Sequence, residues 1–118
     1  MKGLETYQEA AITTENRGRL IVLLHDGAIK FLKLAIKGLD GDDMETKGLY
    51  INKALAIIDE LNQVLDMEAG GEIAVNLRQL YMFMIRHLNA ANIQKDPKKI
   101  EQVVKLLEEL NQGWKAIA

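Results

Sequence analysis

The chain has 118 residues, 48% of them apolar and 27% charged, with a net charge of −2 and no cysteine. This is enough chain for one domain with its own core; it excludes a disulfide framework and thiolate chemistry, and it argues against a nucleic-acid partner, which would call for a basic face. No apolar run approaches a membrane span and residues 1–6 are too polar for a signal peptide, so a cytoplasmic location without membrane insertion is expected.

Residues 1–15 come first. They carry Leu4, Tyr7 and Ile12 at a spacing suited to packing on another surface, but the segment is too short to hold structure alone. It reads as a cap segment, able to move, ahead of a single domain spanning 16–118. Asn16 suits an N-cap, because its side-chain oxygen can accept from a free backbone N–H one turn on. The first long helix therefore begins near Arg17. Leu20, Leu23, Leu24, Phe31, Leu32, Ala35 and Leu39 follow at helical spacing, and Gly38, Gly41, Asp40, Asp42 and Asp43 end it. Gly27 inside this helix costs about 1 kcal/mol relative to Ala, so a neighbouring helix is expected to come close there. Lys30, Lys33 and Lys37 line the opposite side and read as a solvated face.

The second helix starts near Asp43 or Met44 and runs to about Leu65, with Tyr50, Ala54, Ile57, Ile58, Leu61 and Leu65 toward the core. Gly70-Gly71 form the next turn. Glu72 then sits in a first helical turn, where its charge favours the helix dipole. The third helix runs to about Ile93 on a stripe of Leu77, Leu80, Tyr81, Met84, Ile85 and Leu88. Asp96-Pro97 opens the fourth, with Asp as cap and Pro where its missing N–H is not needed. That helix carries Ile100, Val103, Val104, Leu107, Leu110 and Trp114. Four amphipathic helices joined by short turns predict an all-α fold: an antiparallel up-down four-helix bundle with a short N-terminal cap segment.

The third helix has apolar residues to spare. At about 100° per residue, Val75, Met82 and Ile93 fall nearly opposite its core stripe, with Phe83 on the flank. Val22 and Ile29 lie outside the main stripe of the first helix. Single exposed apolar residues are ordinary, but three on one side predict a groove for an amphipathic partner, and the flexible Met thioether suits varied ligands.

Catalytic constellations are missing from the sequence. With no Cys and no Ser, neither a Cys-His pair nor a Ser-His-Asp set can be built. Val22 and Met84, three residues before His25 and His87, replace the glutamates that a di-iron bundle needs. Gly70-Gly71 lacks the Lys-Ser or Lys-Thr of a phosphate-binding loop. His25 invites comparison with histidine phosphotransfer bundles, but Gly27 and Lys30 do not match their spacing, and a boundary histidine beside the core is the simpler reading.

The stretch from Leu65 to Leu77, with Leu80-Tyr81, Met84 and Arg86, resembles the signature of the flagellar export chaperones that guard flagellin, the FliS family. The resemblance extends through Asp26-Gly27-Ala28, Ile58 to Leu61, Ala91-Asn92 and Trp114, and covers the chain from about Tyr7 to Ile117. Two departures stand out. Asn16 and Arg17 occupy positions where the family has Ser-Pro, and His25 stands where it often has an aromatic residue.

The resemblance implies a non-enzymatic cytosolic protein that binds the disordered C-terminal region of flagellin. Such a protein prevents premature polymerisation and helps deliver the subunit to the flagellar type III export apparatus. No ATP, cofactor or metal is implied, and export-gate or regulatory proteins stand as further partners. Tyr7 matches a family tyrosine that contributes to flagellin binding and can move. On this reading Tyr7 and Ile12 form a displaceable cap, Val75, Met82, Phe83 and Ile93 line a groove, and Arg86 is a polar anchor. Leu77, Leu80, Leu88 and Trp114 are assigned to the core. The alternatives are a phosphotransfer domain using His25 and a structural bundle that self-associates.

Overall fold

Three of the four helices start where an aspartate side chain satisfies a free N–H group. The computed structural model describes residues 17–117 as four helices: α1 (Arg17–Asp40), α2 (Met44–Gln63), α3 (Met67–Gln94) and α4 (Pro97–Ile117). Asp43 caps α2, accepting from the Thr46 backbone N–H at 3.1 Å and from its hydroxyl at 2.6 Å. Asp66 caps α3 through the Ala69 N–H at 3.0 Å, and Asp96 precedes Pro97 and accepts from the Lys98 N–H at 3.0 Å. The start of α2 and the cap at Asp96 match the sequence reading; the cap at Asp66 moves the start of α3 five residues ahead of Glu72. The expected cap at Asn16, and the segment 1–15 with Tyr7 and Ile12, lie outside the described residues.

The connections are two or three residues long, so consecutive helices run antiparallel. α1 packs against α2 and α4, and α3 against the same two, closing a ring of four. At the α1–α2 turn the Asp43 N–H donates to the Gly38 carbonyl at 2.7 Å. A β-carbon on Gly38 would lie 2.8 Å from the backbone nitrogen of Lys47, so the missing side chain is what lets α2 start so close to α1. Gly27 also faces α2, as expected: a β-carbon there would meet the Ile57 side chain at 3.3 Å.

The core is apolar and continuous through all four helices. It includes Leu32, Ile51, Ile58, Leu61, Tyr81, Met84, Leu88, Ile100, Val103 and Leu107. On α1 the buried line is Ile21, His25, Ala28, Leu32 and Ala35, not the leucines at 20 and 23; Leu23 is 66% exposed. The true line contains a histidine and two alanines, so it looked weaker in the sequence than the leucine-rich line beside it. Leu88 is buried as expected, whereas Leu77, Leu80 and Trp114 are half-buried at the edge of the core.

Three buried polar groups tie the ring together. Lys47 of α2 donates to the side chain and main-chain oxygens of Asn92 on α3, at 2.6 and 3.1 Å. Asn111 of α4 donates to Asp26 of α1 at 2.8 Å. His25 links Ile21 of its own helix to Tyr81 of α3.

Candidate functional site

α1 and α3 begin, and α2 and α4 end, at the same end of the bundle, and there the four helices do not close. They leave an apolar recess of about 360 Å³. Its walls are Leu61, Val64 and Leu65 from α2 and the turn after it, Ile73, Ala74 and Leu77 from α3, and Trp114 and Ile117 from α4. Arg17 and Gly18 form the rim where the chain enters α1, and the Arg17 guanidinium donates to the Val64 carbonyl across the gap. A second recess, of about 630 Å³, continues past Ile21, Val64 and Leu65 to Leu20 and Met67.

Local sequence explains the opening. Gly71 adopts φ 51° and ψ −128°, so the first turn of α3, up to Gly70, is set at an angle to the rest. An L-residue is disfavoured in that conformation. Gly18, Gly70 and Ala74 place small groups where larger side chains would fill the space. Gly70-Gly71 is thus the break that the sequence predicted, but it lies within a helix that had already started at Met67.

The inner wall is Tyr81, 1% exposed. Its hydroxyl oxygen lies 3.4 Å from Nε2 of His25, whose Nδ1 lies 2.8 Å from the Ile21 carbonyl oxygen. A carbonyl only accepts, so Nδ1 carries the ring proton and the bare Nε2 accepts from the Tyr81 hydroxyl. Burial pushes the Tyr81 phenol up to about 12, with the Trp114 side chain pulling the other way. Burial lowers the His25 imidazole below its ordinary value, against the Ile21 carbonyl and the Asp26 carboxylate, which raise it. With His25 fully buried, no phosphodonor reaches it, which removes the phosphotransfer reading.

The surplus residues of α3 lie elsewhere. Val75, Met82, Phe83, Arg86 and Ile93 are all exposed, and Ile93 is 83% so. At about 100° per residue, Val75, Met82, Arg86 and Ile93 fall within a strip some 40° wide. They form an outward ridge rather than the walls of the recess. The Asn62 side-chain amide approaches the Met82 sulfur at 3.7 Å on the α2 side; Phe83 stacks on His87 with ring centroids 4.8 Å apart, and His87 meets Gln102 of α4 at 2.6 Å.

The sequence reading missed Ile73, 72% exposed at the mouth of the recess, and assigned Leu77 and Trp114 wholly to the core. The available signal was the run of small residues around Gly70-Gly71 beside Ile73. Among the described residues no group of three metal-ligating side chains comes together, and no helix is long and apolar enough to cross a membrane.

Comparison with known proteins matches residues 1–118 to the family described as Flagellar protein FliS. The flagellar secretion chaperone FliSB of Pseudomonas aeruginosa is 38% identical, over 100% of this chain and 97% of that protein. The flagellar secretion chaperone FliS of Salmonella typhimurium is 42% identical over 93% of this chain and 82% of its own length. That of Bacillus subtilis is 33% identical over 92% and 80%.

Proposed function

The chain belongs to the flagellar protein FliS family, and from that premise we propose that it is a cytosolic export chaperone for flagellin. It binds the disordered C-terminal segment of the subunit, blocks premature polymerisation and helps hand the subunit to the flagellar type III export apparatus. Export-gate and regulatory proteins are its further partners. The observation that carries this reading is the apolar recess, open at the end where all four helices meet and lined by Leu61, Leu65, Ile73, Leu77 and Trp114.

A disordered client loses conformational entropy as it orders on a surface. Burial of apolar area, at about 25 cal/mol per Å², offsets that loss, and the surplus is modest. Affinity therefore stays finite, which suits a protein that must release its cargo. The recess takes one apolar turn of the client. The ridge of Val75, Met82, Phe83 and Ile93 takes a further amphipathic stretch, with Arg86 anchoring a polar group. Residues 1–15 join the bundle at Arg17, on the rim, which supports Tyr7 and Ile12 as a cap that covers the recess until the client displaces it.

Calorimetric titration with a flagellin C-terminal peptide, with circular dichroism before and after, tests the proposal. One-to-one binding, a negative heat-capacity change and helix gain beyond the sum of the parts are expected. Absence of binding to the cognate peptide sinks the assignment of client. Tyr7→Ala is expected to weaken binding without lowering the melting temperature; a lowered melting temperature with unchanged affinity contradicts the cap.

A further inference from the structure

Behind the apolar lining runs a chain of polar groups that apolar binding by itself does not require. The Tyr81 hydroxyl donates to His25 Nε2, and His25 Nδ1–H donates to the Ile21 carbonyl; Trp114 lines the same recess as Tyr81. Ile21, Tyr81 and Trp114 belong to α1, α3 and α4, and each lines the recess. His25, which does not line it, connects α1 to α3. The two bonds run in one direction, from Tyr81 of α3 to His25 and on to the Ile21 carbonyl of α1.

We propose that neutral His25 is a positioning residue for the recess: by accepting from Tyr81 it fixes the phenol that forms the inner wall in the arrangement that receives an apolar client segment, and protonation of His25 releases that arrangement. The inference rests on reading the recess as the client site. An imidazolium donates from both nitrogens, so it has no lone pair for Tyr81. The phenol then loses the acceptor of its proton inside a buried site, and that proton must turn away from the new Nε2–H. Leaving a buried donor unpaired is costly, and the recess that Tyr81 lines gives its side chain room to move.

The groups acting on the imidazole are few. On its own helix Asp26 favours the proton, and from α4 Asn111 and Lys115 engage that carboxylate, at 2.8 and 3.5 Å. α3 contributes the Tyr81 hydroxyl, and among the described residues no charged group of α2 acts on the ring. Desolvation is the largest influence and keeps the ring neutral at pH 7.

Trp114 is the single tryptophan and His87 the only other histidine, so the full chain carries its own reporter. The experiment follows Trp114 emission from about pH 8 to about pH 5, with circular dichroism to monitor folding, in wild type, His25→Gln, His25→Phe, Tyr81→Phe and His87→Gln. Wild type and His87→Gln should show an emission transition below pH 6.5, the ordinary imidazole value, with helicity retained. His25→Gln and Tyr81→Phe should lack it. His25→Gln keeps an acceptor for Tyr81, so its affinity for the flagellin peptide at pH 8 should match wild type; His25→Phe should weaken it about fivefold. If His25→Phe does not fold, His25→Gln and Tyr81→Phe decide. Three results overturn the proposal: a transition unchanged in His25→Gln, one that persists in Tyr81→Phe, or none in wild type. Failure of the peptide to bind wild type at pH 8 sinks the client reading instead, because the emission profile needs no client.

Discussion

Gly38 shows how a single absent methyl group spaces two helices. A β-carbon there would sit 2.8 Å from the Lys47 nitrogen and 3.1 Å from the Asp43 carbonyl oxygen, both rigid backbone atoms. Gly38→Ala should therefore destabilise the bundle by about 1–3 kcal/mol, even though Ala is the better helix former; a thermal melt checks this. The same residue scale holds the acid sensitivity of the fold. His25 has a folded pKa below the unfolded value of 6.5, so the unfolded chain binds the proton more readily. Its contribution to stability is complete above 6.5 and is lost as pH falls through the folded value. The melting temperature of wild type should fall in that window, and His25→Phe should remove that part of the fall.

At the scale of the element, α3 carries two apolar surfaces with different geometry. Ile73 is at the mouth of the recess, just after the Gly71 break, while Met82 is on the outward ridge two turns on. Both are exposed, so a charge at either site should leave the stability within about 0.5 kcal/mol of wild type. Ile73→Glu and Met82→Glu should each weaken peptide binding, and the larger loss identifies the surface that carries more of the client. Unfolding by Met82→Glu would place Met82 in the core and contradict the ridge.

Much of this element was legible in the sequence. Apolar spacing of three and four gave the helices, Asp43 and Asp96-Pro97 gave two starts, and the helical wheel put Val75, Met82 and Ile93 on the outside. The register of α1 was not legible, because its buried line runs through His25, Ala28 and Ala35 while Leu20 and Leu23 face water. Periodicity weighs side chains by hydrophobicity, whereas close helix packing selects small ones. The start of α3 was missed because the glycine pair outweighed the quieter cap at Asp66.

At the scale of the whole molecule, the recess is a property of four helix ends that are far apart in sequence. No local pattern contains it: Arg17, Leu65, Ile73 and Trp114 become neighbours only when the ring closes. This is why Leu77 and Trp114 read as core residues, their packed sides being indistinguishable in sequence from their open ones. Among the described residues, Leu23 and Leu49, the most exposed large apolar side chains outside the recess and the ridge, lie on different helices. Scattered apolar residues do not make the large continuous patch of an obligate dimer. Light scattering over a dilution series at low micromolar concentration should therefore report a monomer; a stable dimer would revive the self-associating bundle.

Ile117, the last residue of α4, is part of the recess wall. A peptide joined behind it through a short flexible linker would meet the recess at an effective concentration on the order of millimolar, whatever the dilution of the sample. Occupancy then depends on intrinsic affinity measured against that local concentration, so a segment too weak to saturate the protein in bulk would still fill the recess when tethered. Fusions of this kind would rank client segments by the emission of Trp114 alone.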